Sequence, residues 1–280
     1  MVLAFWEVKL GYLLGKTMRC IFCKLDSANS TSVEHIIPES LWNTKQILPR
    51  GVVCDKCNNY FSRKVERQFL CSPEMESLRF HQAIPSKKGR VPPIMGAMLG
   101  SEVPISIRRV LSSEEIVTSI ELNEDQVELV RSGQSSKVNF PIASGIPTAK
   151  ITSRFLAKVA LEALAQRLLP HYGGVDYVVE EEQFDLVREH ARYGRVKEWP
   201  YYVRRIYDAD LDEKIHGLDG QKVHEYDFLH TDHGEFYFVL ALYGVELTIN
   251  IGGPCIEGYE TWLKENDNAS PLYWGKNAEG

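Results

Sequence analysis

Four cysteines in two Cys-x-x-Cys pairs, Cys20/Cys23 and Cys54/Cys57, bracket the string Val33-Glu34-His35-Ile36-Ile37-Pro38, and the second pair runs directly into Asn58-Asn59-Tyr60-Phe61. Each pair aims two sulfurs at one point, and two pairs complete the closed tetrahedral thiolate site that a structural zinc takes. His35 is then left over for chemistry. A neutral imidazole titrates near neutral pH and suits a general base. Glu34 and Asn58 offer the hard oxygen ligands that magnesium or manganese prefers, and two protein oxygens leave coordination positions for water and phosphate. A base and a hard cation together are what hydrolysis of a phosphodiester requires.

The stretch Cys20-Ile21-Phe22-Cys23, then Glu34-His35-Ile36-Ile37-Pro38, then Val53-Cys54-Asp55-Lys56-Cys57-Asn58-Asn59 resembles the HNH endonucleases, in the subgroup whose ββα-metal fold carries a four-cysteine zinc and whose last motif residue is Asn. The resemblance covers residues 18–70. It implies that His35 is the base, that Glu34 and Asn58 hold the catalytic magnesium or manganese, and that the zinc at Cys20, Cys23, Cys54 and Cys57 is a separate, structural ion. Asn59 is the near rival of Asn58. Motifs of this kind usually carry a central Asn that braces the base histidine, and none stands in Ile47–Val53. Asn43 is the nearest candidate, while Arg50 has a guanidinium fork suited to the scissile phosphate. Glu66 lies two helical turns past Asn58, close enough to the same face to support the metal or to pair with a basic neighbour.

The net charge of −6 is wrong for a nucleic-acid enzyme until it is divided along the chain. Residues 1–70 carry +4 and residues 151–280 carry −10. The basic excess therefore sits on the motif-bearing segment, where Arg50, Lys56, Arg63 and Lys64, with Arg67, are placed to attract phosphate. Lys87-Lys88-Gly89-Arg90 adds a basic loop. DNA is the expected partner of the basic part, and a protein partner is expected for the acidic remainder. No apolar run is long enough to span a membrane, and thiolate-type cysteine use agrees with the cytoplasm. Cys71 and Cys255 read as small buried thiols. Among the remaining histidines, at 81, 171, 190, 216, 224, 230 and 233, only His230 and His233 cluster, as a hairpin approach.

The elements that must position these residues follow from local signals. Ser32–Ile37 reads as a short strand stopped by Pro38, Val52-Val53 leads into the second cysteine pair, and the spacing Phe61, Val65, Phe69 is helical with Asn58 at the helix start. Residues 84–104, with Pro85, Pro92, Pro93 and several glycines, look like a linker or long loop, and 105–140 holds alternating stretches that suggest strands. Ile151–Leu169 is a strong helix whose apolar residues cover a wide arc, Phe184–Tyr193 is a second helix, and Phe236–Leu242 with Val245–Ile251 around Tyr243-Gly244 is a hairpin signature.

The fold class expected is α+β, with a small zinc-stapled ββα-metal nuclease module followed by a larger mixed α/β domain. The divisions are 1–17 as an N-terminal extension, 18–74 as the nuclease module, 75–104 as a linker or long loop, and 105–280 as a mixed helix and sheet domain for target choice or partner docking. The function that the resemblance implies is metal-dependent cleavage of DNA, in bacterial defence or restriction. The alternative is a noncatalytic zinc-ribbon adaptor, or an inactive nuclease fold, in which Glu34 faces solvent and His35 is buried.

Overall fold

The computed structural model describes residues 18–41, 43, 45–86, 88–99, 103–111, 116–143, 145–207 and 224–272. The proposed extension 1–17, His216 and Lys87 lie outside them. Among the described residues the first strand is β1 (Glu34–His35), paired antiparallel with β2 (Ile47–Leu48) and followed by α1 (Asp55–Phe61), a π-helical turn (Ser62–Glu66) and α2 (Arg67–Leu70). This is the ββα order. α3 (Pro73–His81) comes next, then the strands β3 (Ile94–Met98), β4 (Pro104–Leu111) and β5 (Ile116–Glu121), α4 (Glu124–Arg131) and β6 (Val138–Asn139). The rest comprises α5 (Ala149–Leu168), α6 (Gly174–Glu180), α7 (Asp185–Tyr193), β7 (Tyr201–Arg205), β8 (Glu225–His230), β9 (Phe236–Leu242), β10 (Val245–Asn250) and α8 (Glu257–Glu265).

Every strand pairing among the described residues is antiparallel, so the protein is α+β. One four-stranded sheet has the order β7-β10-β9-β8 and a second the order β5-β4-β3-β6. β9 shows the period-2 alternation of a strand covered on both faces. Phe238, Leu240 and Leu242 join the main core with α5, while Tyr237, Val239 and Ala241 pack with Tyr259 and Leu263 of α8. The turn between β9 and β10 is Tyr243-Gly244, with φ of 49° and 78°, the two left-handed residues that a two-residue hairpin loop requires. His230 and His233 stand at the β8–β9 hairpin, where the His230 ring stacks on Phe236.

α5 is the centre of the molecule. Its buried residues include Phe155, Leu156, Val159, Leu161, Ala163 and Leu164, because it has neighbours on nearly every side. It packs on β2, the π turn and α2 of the cysteine-bearing segment, on α6 and α7, and on β10. One core cluster therefore runs without a break from Cys20, Phe22 and Phe61 through α5 to Leu247 and Ile249. Phe69 and Phe155 stack with ring centroids 4.0 Å apart across this junction.

Three local expectations change. Residues 75–104, expected as a linker or long loop, hold most of α3, capped by Ser72 with Pro73 in its first turn, and all of β3. Prolines and glycines do border these elements, but Ile94–Met98 still pairs with both β4 and β6. The helix expected from Asn58 starts at Asp55, because Cys54 acts as its N-cap and its Sγ accepts the Cys57 N–H. Cys71 is exposed and Cys255 only half-buried, with Cys255 Sγ 3.1 Å from Asn250 Nδ2.

Candidate nuclease site

The four cysteine sulfurs lie within 4.8 Å of one another. Cys23 Sγ and Cys54 Sγ are 3.7 Å apart, close to the edge of about 3.8 Å that four Zn–S bonds of about 2.3 Å give a tetrahedron. Crowding the thiols alters their acidity. A hydrogen bond from Cys57 lowers the Cys20 thiol to about 5, burial raises Cys23 to about 11, and the bond to Cys20 pushes Cys57 up well beyond its ordinary value. Protons alone thus leave the cluster unevenly charged, and a divalent soft-accepting cation is what stabilises all four as thiolates. The donor set fits structural zinc.

Gly51 stands in the left-handed region just before the second knuckle, with the Met18 side chain packed against it. Gly51 has φ of 90°, and a Cβ there would lie 2.1 Å from Met18 Sδ. Ser27 Oγ donates to the Gly51 carbonyl at 2.6 Å, which ties the two knuckle segments together.

The same scaffold aligns the motif. Asp55, at the first position of α1, accepts from the backbone N–H of Thr31 and Ser32 and from Ser32 Oγ at 2.6 Å. These bonds hold its carboxyl below the ordinary value, with the Ser32 hydroxyl first among the causes. One turn further along α1, Asn58 Nδ2 donates to the Val33 carbonyl at 3.2 Å, directly before Glu34. Asn58 is half-buried against this strand, whereas Asn59 is exposed. The structure thus brings Asn58, and not its neighbour, to the Glu34-His35 strand.

Alternate strand residues point to opposite faces, and β1 shows it. Glu34 is the buried member of the pair, at 5 % exposure, and His35 is half-buried. The adaptor reading expects the reverse. His35 Nδ1 is buried and meets no hydrogen-bonding partner among the described residues. Asn43 does not brace the His35 ring. Its Nδ2 donates to Ile37 O at 2.7 Å and Gln46 O at 2.9 Å, and its Oδ1 accepts from the N–H of Lys45 and Gln46. It closes the β1–β2 connection instead, with its amide fully used.

The residue that sequence reasoning missed is Lys158, on α5 and wholly buried. Its Nζ lies 2.7 Å from Glu34 Oε1, 2.6 Å from Glu66 Oε1 and 2.8 Å from Glu162 Oε2. It also donates to the carbonyl of His35 at 3.1 Å. Burial works against the charge on Lys158, but Glu162, Glu34 and Glu66 outweigh it and hold the ammonium well above its ordinary value. Burial, with Glu34 beside it, likewise raises Glu162 well above the ordinary carboxylate range. Glu66 thus takes the basic neighbour of the two roles open to it. A readable signal existed: Lys158 and Glu162 are two charges at i, i+4 inside an otherwise apolar helical arc.

The expected phosphate-attracting residues are exposed but do not form one patch. Lys56 lines a shallow cleft of about 330 Å³ with Cys23, Asn29 and Arg192. Arg63 and Arg67 line a separate open cleft of about 550 Å³ with Cys71, Thr148 and Ile151. Arg50 stands on the turn after β2. The helix that carries Lys56, Arg63 and Arg67 winds, so residues close in sequence face different sides.

Residues 20–73 match the family model described as HNH endonuclease. With the cysteine cluster and the ββα order, this part of the chain is an HNH module with a four-cysteine cluster positioned to bind zinc. No curated protein and no solved structure matches the chain.

Proposed function

We propose that this protein is a metal-dependent endonuclease that hydrolyses phosphodiester bonds of DNA through its HNH module. The observation that carries the reading is the bond from Asn58 Nδ2 to Val33 O, which sets an amide ligand beside the Glu34-His35 pair inside a zinc-closed loop. A structural zinc ribbon has no use for that juxtaposition. Glu34 and Asn58 are the residues that would hold magnesium or manganese, and their oxygen donors suit either ion. When bound, the cation neutralises charge that builds on the phosphate and the leaving oxygen. His35, half-buried as a residue on β1, takes the proton of the attacking water. The exposed Arg50, Lys56, Arg63 and Lys64 give the module basic side chains on more than one side that attract the phosphate backbone.

A cytoplasmic workplace agrees with a cluster that must stay reduced to hold zinc. A defence or restriction role rests on the family resemblance alone, and docking of a protein partner rests on the acidic charge of residues 151–280.

The test is nicking of supercoiled plasmid by the zinc-loaded full chain with magnesium or manganese, beside His35→Ala. The reading expects cleavage by the wild type and a loss of about 10²–10⁴-fold in the variant, with zinc content and melting unchanged. Equal cleavage by both proteins overturns the assignment of His35, and no cleavage of plasmid, single-stranded DNA or RNA by the wild type overturns the nuclease reading.

A further inference from the structure

Lys158 lies far beyond the HNH match, on the helix around which the rest of the protein packs, yet its Nζ is the meeting point of three elements. Glu34 comes from β1, Glu66 from the π turn and Glu162 from α5 itself. An ammonium has three N–H donors. Glu162, one turn away on the same helix, is its local partner, and the other two carboxyl groups both come from the module.

The π turn is part of this arrangement. In a regular α-helix the eight residues from Asn58 to Glu66 end about 80° past the starting face. A π turn takes up one extra residue and brings the offset to about 20° on the other side. Asn58 then meets the strand before Glu34 while Glu66 meets the lysine beneath it. Lys158 also donates to the His35 carbonyl and reaches within 3.5 Å of the Ile36 carbonyl, so it holds the end of the strand as well as the carboxylate.

A buried ion pair is weak as a source of stability, because apolar residues of equal volume serve as well or better. What the lysine does supply is orientation. With one Glu34 oxygen fixed at 2.7 Å from Nζ, rotation of the carboxylate is arrested. Carboxylates that ligate metals are themselves held by such partners, whose removal weakens metal affinity by about 10–100-fold.

We propose that Lys158 is a positioning residue of the nuclease site, a lysine supplied by the C-terminal part of the chain that orients Glu34 toward the divalent cation and fixes the strand end bearing His35. The inference rests on the endonuclease reading for the identity of that cation. It makes the module dependent on α5 for its geometry: the match at residues 20–73 does not contain the whole site.

The test uses the zinc-loaded full chain. Lys158→Met alone strands three carboxylates, so the principal variant is Lys158→Met/Glu162→Leu, which exchanges one cation and one carboxylate for apolar volume and leaves Glu34 and Glu66 in place. Lys158→Arg, which keeps the charge but not its single point of convergence, is the second variant. Manganese binding is read without DNA, from the electron paramagnetic resonance signal of the free aqua ion. The double variant should bind manganese about 10–100-fold more weakly with zinc retained. Its single-turnover cleavage rate should fall, while the protein concentration giving half-maximal rate stays within about twofold, since the exposed basic residues are untouched. Lys158→Arg should fall between the two and carries the test if the double variant loses its zinc.

Unchanged or tighter manganese binding in a zinc-loaded variant overturns the proposal, the tighter case showing a lysine that competes with the metal. If the wild type cuts DNA with His35 dependence but the variants match it in manganese affinity and rate, the role of Lys158 falls and the nuclease reading stands. If manganese affinity drops as expected but no protein cuts nucleic acid, the nuclease reading falls and the positioning role stands. A wild type that binds no manganese at millimolar concentration overturns the positioning role.

Discussion

Arg188 of α7 donates from Nε to the carbonyl of Ile21 at 2.6 Å, so the turn between the first two zinc cysteines is tied to the helical body. Its Nη2 donates to Val178 O at 2.6 Å, and the residue is 3 % exposed. Arg188→Met should strand two buried carbonyls and cost about 2–4 kcal/mol, although burial lowers the pKa of the guanidinium and offsets part of the gain. Urea unfolding reads this as a lower midpoint at constant slope. The variant should also release zinc faster to a chromogenic chelator. An unchanged midpoint together with unchanged release would remove the tie.

Cys57→Ser takes a ligand from the cluster at a position 1 % exposed. Zinc should drop from about one per chain toward none. Because Cys20, Cys57 and Phe61 belong to the same core as α5 and β10, the loss should lower the unfolding free energy of the whole protein by about 3 kcal/mol or more. A core confined to residues 18–74 would instead give two transitions, the module melting first. One transition shifted downward is the outcome that the continuous core demands.

The zinc cluster and its neighbourhood were legible because their chemistry is local: cysteine pairs, a Glu-His step and a helix after the last cysteine need no knowledge of the rest of the chain. The hairpin at Tyr243-Gly244 and the long helix α5 were legible for the same reason, each carrying its own periodicity. Features outside that reach depend on contacts distant in sequence. Lys158 meets Glu34 across 124 residues, and nothing near either residue announces the other. Asn43 has the right type and place for a brace, but the carbonyls of Ile37 and Gln46 claim it. Proline in the stretch before Ile94 reads as linker, whereas pairing with β4 and β6 makes Ile94–Met98 a strand.

Acid should destabilise the protein through two buried histidines. Burial, with Arg154 and Lys150 nearby, lowers His190 to about 4, and burial lowers His224 to about 4 as well. In the unfolded chain both return to the ordinary value near 6.5, so between about pH 6.5 and 4 the unfolded state binds more protons than the folded one. Their contribution is whole above pH 6.5 and declines as pH falls through this window, on the order of 3 kcal/mol for each. Urea midpoints at pH 7, 5.5 and 4.5 for the wild type and His190→Gln should show a shallower fall in the variant. The thiolates protonate in both proteins, so the difference between the two curves isolates the histidine. Parallel curves would show that His190 is not responsible.

The two metals should separate under chelation. The zinc is closed by four thiolates whose sulfurs crowd within 4.8 Å, so it has no open position at which to polarise a phosphate. The proposed catalytic cation has two protein oxygens, from Glu34 and Asn58, and hard-cation sites that keep several waters are weakly held. Brief treatment with a chelator should therefore stop plasmid cleavage while about one zinc per chain remains, and added magnesium or manganese should restore the rate. Glu34→Gln should raise the metal concentration needed for half-maximal cleavage by about tenfold or more, leaving zinc content unchanged. Because Glu34 also bonds Lys158, the same variant should lose stability, by about 1–3 kcal/mol. Cleavage that follows zinc occupancy and ignores magnesium and manganese would overturn the two-site reading, and the role of Asn58 would fall with it.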